Sequence, residues 1–172
     1  MQNPYPMDGS CDCGAIRYRL KCAPLVVHCC HCSWCQRESG SAFALNAMIE
    51  SDNVELLSGE PLLVNTPSNS GQGQQIARCP KCYVALWSHY AGSGPLIRFV
   101  RVGALTHPEL LPPDVHIFTQ SKQPWVILPP ETPAFAEYYD RQMVWQEESL
   151  RRAALLVPKI KAYRATLTSP RN

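Results

Sequence analysis

The chain has 172 residues, a mass of 19.2 kDa and a formal charge of +2 from 16 basic and 14 acidic side chains. That length fits one domain able to bury about two thirds of its unfolded surface, and the charge is too small to recommend a nucleic-acid or membrane-surface partner. Charged residues at 17%, hydrophobic residues at 45% and 16 prolines argue against disorder, coiled coils and helical repeats, and predict a compact, loop-rich fold.

Met1-Gln2-Asn3-Pro4-Tyr5-Pro6 has neither the basic nor the apolar segment of a secretory signal, and no stretch approaches the roughly 20 apolar residues that span a bilayer. A cytoplasmic protein is expected. Residues 1–105 read as short strands punctuated by Gly, Pro and Asn, with strands predicted at 16–20, 25–29, 42–49, 54–57, 62–65, 75–78 and 97–102. Phe43, Leu45, Ala47 and Ile49 alternate with smaller or more polar neighbours, as a half-buried strand requires. Residues 67–73, a run of Ser, Asn, Gly and Gln, form a loop without evident chemistry. Seven prolines from Pro108 to Pro133 exclude a central strand or regular helix and predict an extended wrap, with 115–118 free to pair at an edge. Residues 134–157 have helix-forming composition, with Phe135, Tyr138 and Tyr139 spaced for one face and Pro158 as the stop. The basic last dozen residues, closing on Ser169-Pro170-Arg171-Asn172, are expected to be a mobile tail. The division expected is a zinc-binding β domain over 1–139 and a helical extension with tail over 140–172.

Nine cysteines are the strongest signal, and seven fall in tight groups. In a reducing compartment such density points to metal or thiol chemistry rather than to disulfides. Cys11-Asp12-Cys13 and Cys79-Pro80-Lys81-Cys82 are two chelating pairs of the kind that assemble four-thiolate zinc sites. One ion held by both would clamp the N-terminal strands to the second half of the β region. The alternative, a redox pair at Cys79 and Cys82, needs the motif to open a helix, whereas Val84, Ala85, Leu86 and Trp87 have strand character.

The second group, His28-Cys29-Cys30-His31-Cys32-Ser33-Trp34-Cys35, has a different logic. A short helix over 33–39, closed by Gly40, places Cys32 and Cys35 at a helix start, where unpaired N–H groups favour thiolates. Cys30 approaches from the preceding strand, and three protein ligands leave a fourth position for water or substrate. A closed site, with Cys29 or His31 as fourth ligand, remains the alternative. It is opposed by strand geometry, which points adjacent residues to opposite faces. Cys22 and Cys29 read as buried apolar fillers. Seven zinc-bound thiolates would bring the folded charge to roughly −1, removing the apparent basicity.

In this order the motifs resemble those of the glutathione-dependent formaldehyde-activating enzymes, a family that includes centromere-protein-V-like members. The resemblance is carried by Gly9-Ser10-Cys11-Asp12-Cys13-Gly14, by Cys30-His31-Cys32-Ser33-Trp34-Cys35 with Gly40-Ser41-Ala42-Phe43, by Cys79-Pro80-Lys81-Cys82, and by Ser121-Lys122-Gln123-Pro124-Trp125 with Pro133-Ala134-Phe135. It implies a mainly β fold, the β-tent, with two antiparallel sheets and a zinc clamp, here with a short helix at the second group and a C-terminal helix. It also implies two zinc ions per chain: Cys11, Cys13, Cys79 and Cys82 match the structural ligands, and Cys30, Cys32 and Cys35 the catalytic-site ligands. The implied activity is that of a carbon–sulfur lyase that forms or cleaves S-hydroxymethylglutathione, with glutathione or another small thiol as partner. The family usually has glycine after the C-x-x-C where this chain has Tyr83, so either the turn differs or the backbone avoids positive φ.

Arg37, Ser39, Gly40, Ser41 and Trp125 are the pocket residues expected, Arg37 as a partner for a glutathione carboxylate or as a solvated helix-face residue. His28, His31 and His89 are the histidines available for proton transfer. Self-association through the C-terminal helix is a further expectation. The competing functional reading is a non-catalytic zinc module that binds a protein, with the three-cysteine site closed or empty. Methionine sulfoxide reduction ranks last, because that family uses two C-x-x-C pairs and a separate reactive cysteine.

Overall fold

The computed structural model describes residues 4–168. Its elements, in chain order, are β1 (Met7–Ser10), β2 (Arg17–Leu20), β3 (Val26–Cys30), α1 (Ser33–Ser39), β4 (Ala44–Glu50), β5 (Val54–Ser58), β6 (Leu62–Thr66), β7 (Gln74–Arg78), β8 (Ala85–Tyr90), β9 (Ile97–Arg101), β10 (Val115–Ile117) and α2 (Glu147–Thr168). The protein is mainly β, with two sheets and two helices, as expected. A three-stranded sheet has the order β1-β2-β5, and a seven-stranded sheet the order β10-β3-β4-β9-β8-β7-β6. The larger sheet is mixed rather than antiparallel, because β10 pairs with β3 in parallel. Strand β9 already runs the same way as β3, so the Pro-containing connection over 102–114 carries the chain back across the sheet before it pairs.

Alternation along β4 separates two cores. Ala47 and Ile49 face a cluster with Tyr18, Leu20, Val54, Leu86, Trp87 and Val100, drawn from both sheets. The edge contact of Tyr18 with Trp87, 5.4 Å between ring centroids, ties the small sheet to the large one. Gly9 on β1 is required there, since a Cβ would lie 2.5 Å from Cζ of Tyr18. Ala44 and Met48 face the other way, against Cys30, Cys35, Val115, Ile117, Tyr139 and Trp145.

The C-terminal region departs from expectation. Residues 134–146 are not helical, apart from a 3₁₀ turn at Arg141–Met143, and α2 begins only at Glu147. Backbone bonds explain this: the His116 N–H donates to the Pro133 carbonyl and the Phe135 N–H to that of His116, so the segment lies extended beside β10. Phe135, Tyr138 and Tyr139 stack on one another instead of forming a helix face. Pro158 sits inside α2. The interruption is tolerated because contacts hold the helix on both sides of it: Ala153 and Leu156 are buried before the proline, and beyond it the Tyr163 ring closes against Gly94, where no side chain would fit. Arg152 on α2 forks onto the Glu50 carboxylate at 2.8 and 2.5 Å, with both side chains mostly buried. Residues 161–168 of the expected tail are therefore helix, while Ser169 to Asn172 lie outside the described residues. No helix among the described residues is long and apolar enough to cross a membrane.

Candidate metal centres and the cavity beside them

The first cysteine group forms where two tight turns meet. Cys11 ends β1 and Gly14, at φ 71°, closes its turn onto the Cys11 carbonyl, bringing Cys13 round. Cys79 and Cys82 come from the turn between β7 and β8. The four Sγ atoms lie within 4.8 Å of one another, with Cys11 and Cys13 at 3.6 Å and Cys13 and Cys79 at 3.7 Å. The Ile16 N–H donates to Cys11 Sγ and the Lys81 N–H to Cys79 Sγ. The Cys82 N–H, with help from that of Lys81, draws the Cys79 thiol down to about 6. Four thiols from two chelating pairs, met by backbone donors, fit a tetrahedral divalent ion. Tyr83 does not avoid positive φ; it adopts 61°, and its N–H closes onto the Cys79 carbonyl in the turn a glycine would make.

The second group lies on the opposite face of the large sheet. Cys30 ends β3, Cys32 caps α1 through the Cys35 N–H at 3.3 Å, and Gly40 closes the helix at φ 66°. All three thiols are buried and mutually within 4.8 Å. The Cys30 and Cys35 thiols, followed by the N–H groups of Cys35 and Trp34, lower the Cys32 thiol below its ordinary range. Cys29 and His31 do not join this trio. They form a third group with His116 of β10: Cys29 Sγ is 3.5 Å and His116 Nδ1 3.0 Å from His31 Nε2. Cys29 is thus part of a polar cluster and not simply an apolar filler.

A cavity of about 210 Å³ opens beside the trio, bounded by Cys30, Cys32 and Cys35 at one side. Aromatic rings of Trp34, Tyr90, Phe99, Phe118 and Tyr138 line it. Phe118 is held at φ 56°, a backbone strain of the kind that recurs at functional sites. Asn69 and Ser70 reach it from the loop between β6 and β7, the segment in which the sequence showed no chemistry. His28 also lines it, whereas His31 and His89 do not. Trp145 Nε1–H donates to the Tyr139 hydroxyl at 2.8 Å, and that hydroxyl pairs with His28 Nε2, also at 2.8 Å. This relay joins residues 111 positions apart, and no local pattern announces it.

The expected pocket residues serve α1 instead. Arg37 bonds the Ser33 carbonyl within the helix, Ser39 Oγ donates to the carbonyls of Cys35 and Phe43, Gly40 is the cap, and Ser41 is exposed. Trp125 is 71% exposed. None of the five lines the cavity. Gln36, not singled out from the sequence, bonds the carbonyls of His31 and Ser121 and receives Gln123, which docks the Ser121-Lys122-Gln123 stretch onto α1.

Fold and site together define a small, cysteine-rich β protein with side-chain groups suited to metal ions and an aromatic cavity beside one of them. The family described as "Glutathione-dependent formaldehyde-activating enzyme" matches residues 6–121, more than half of the chain, and the protein belongs to it. A Halomonas elongata protein provisionally named for that activity is 27% identical over 125 residues, covering 70% of this chain and 79% of its own. A solved Rhodobacter sphaeroides protein covers 58% of this chain and 88% of its own at 22% identity, with a TM-score of 0.45.

Proposed function

We propose that the protein is a zinc-dependent carbon–sulfur lyase that forms or cleaves an adduct of a thiol and an aldehyde, of which S-hydroxymethylglutathione is the type suggested by the family. The carrying observation is a trio of buried cysteines at the wall of a cavity, with no fourth His, Cys, Asp or Glu grouped with it among the described residues. Cys11, Cys13, Cys79 and Cys82 would hold a structural zinc, and Cys30, Cys32 and Cys35 a second one. Bound there, zinc supplies a Lewis acid that stabilises a thiolate at neutral pH.

In the forming direction the thiol sulfur bonds to the aldehyde carbon and the proton lost from sulfur ends on the aldehyde oxygen. Cleavage reverses both changes, and sulfur leaves with the bonding pair. His28 is the residue we assign to the hydroxyl: Tyr139 engages its Nε2, leaving Nδ1 as the ring nitrogen that holds or passes the proton. The aromatic wall keeps bulk water from the reacting carbon. Cys29 and His31, the residues able to close the trio, are engaged with each other, and His31 with His116, which supports the open site over the non-catalytic module.

The test is metal analysis with turnover of hydroxymethyl thiol adducts followed by NMR. Wild type is expected to hold about two zinc ions per chain, and Cys35→Ser to stay folded with about one and to lose turnover. Unchanged turnover in folded Cys35→Ser rejects the assignment.

A further inference from the structure

The cavity says more about its ligand than the family name does. Among the described residues, no Lys or Arg lines it. Arg101, whose charge reaches Cys35, is already tied to the Asn46 amide oxygen and to Ser88 Oγ. Besides the cysteines, the polar remainder of the wall is Asn46, His28, Asn69 and Ser70, and the Ser70 hydroxyl already pairs with that of Ser68 at 2.9 Å. The Asn46 side chain donates to the Ala44 carbonyl at 3.4 Å, and His28 Nε2 is taken by Tyr139. Glutathione carries two carboxylates, an ammonium and two peptide groups. A carboxylate drawn into this space meets ring faces and no Lys or Arg side chain, which is costly. Five rings around about 210 Å³ instead present flat, apolar surface to whatever extends from the sulfur.

From this we infer that the thiol or aldehyde part held by the cavity is apolar and compact, an aryl or alkyl group one or two carbons from sulfur, and that the site selects such adducts over the tripeptide. The inference rests on the lyase reading for the identity of the reacting bond and on the wall alone for the class of ligand. Tyr138 and Phe118, 6.4 Å apart between ring centroids, and Trp34 at the start of α1 are the specificity-determining residues.

The experiment compares the hydroxymethyl adducts of benzyl mercaptan, 2-mercaptoethanol and glutathione as substrates of the zinc-loaded protein, with binding of the three free thiols measured by tryptophan fluorescence. Benzyl mercaptan is expected to exceed glutathione by about tenfold or more in kcat/KM, the scale on which apolar pockets discriminate. Trp34→Ala and Tyr138→Ala, the latter at a residue 54% exposed and so of little weight in the core, are expected to lower the ratio of benzyl mercaptan to 2-mercaptoethanol. Glutathione turning over as well as benzyl mercaptan in the wild type overturns the inference while leaving the lyase reading intact, as does a ratio unmoved in both folded variants. If no adduct turns over, the lyase reading fails, and tighter binding of benzyl mercaptan than of glutathione still decides the ligand class. Equal or reversed binding then rejects it.

Discussion

The two cysteine groups sit on opposite faces of one seven-stranded sheet and are assembled in different ways. The four-cysteine group lies at the edge of the core that includes Cys11, Cys79, Tyr18 and Trp87, with Cys13 exposed, and takes its members from turns far apart in the chain. The three-cysteine group takes all its members from one strand end and one helical turn, and it faces a cavity instead of a second sheet. The first therefore joins parts of the fold, while the second displays donors that the fold has already positioned. Donor number, four against three, and what covers each group separate the two together.

The largest effect expected from breaking this contrast is at Cys82. Structural zinc contributes about 10–16 kcal/mol in small metal domains, against a typical total stability of about 5–15 kcal/mol. Cys82→Ser should yield insoluble or unfolded protein, checked by circular dichroism and metal content; a well-folded variant with unchanged zinc sinks the clamp. Graded chelation is expected to abolish turnover before it changes the circular dichroism signal, because loss of the second ion leaves the two sheets joined. Coincident loss would show that both groups serve the fold.

A smaller effect is expected at the clamp that holds α2 over the cavity face. Arg152→Met leaves the Glu50 carboxylate mostly buried without its partner, and should cost about 2–3 kcal/mol in urea denaturation. Burial pushes the Glu50 carboxyl up, but the Arg152 bonds outweigh it and hold the group below its ordinary 4.5. The pair's contribution is thus present above that pH and is lost as pH falls through the lowered folded value. Arg152→Met should flatten this acid limb. The smallest effect is expected at the four-cysteine turn: Tyr83→Gly relieves a left-handed backbone and should raise stability by about 0.5–1 kcal/mol, visible as a higher urea midpoint.

Seven strands were legible because their apolar positions alternate or cluster between turn residues. The strand β1 was not, since Met7-Asp8-Gly9-Ser10 has no such pattern and is held by pairing with β2 and by the seat of Tyr18 on Gly9. The cysteine groups were legible from spacing, because chelation constrains neighbours in sequence. The cavity was not, because its rings come from α1, β8, β9, the end of β10 and the segment before α2, and only the folded sheet brings them together. Helical composition over 134–146 was outweighed by backbone bonds along β10, and Pro158 by anchors on both sides of it. Such tertiary terms leave no local trace.

The distance along the chain between the members of the four-cysteine group has a consequence in time. Cys13 and Cys79 are 66 positions apart. At about 5–20 residues per second of synthesis, Cys13 waits roughly 3–13 s before Cys79 has been made. The three-cysteine group is complete almost as soon as its short segment emerges. On the proposed roles, the order of assembly is therefore the reverse of the order of importance for the fold: the donors proposed to serve chemistry are ready first, and those proposed to close the structure stand open to oxidation or to a competing metal until the second half of the β region arrives.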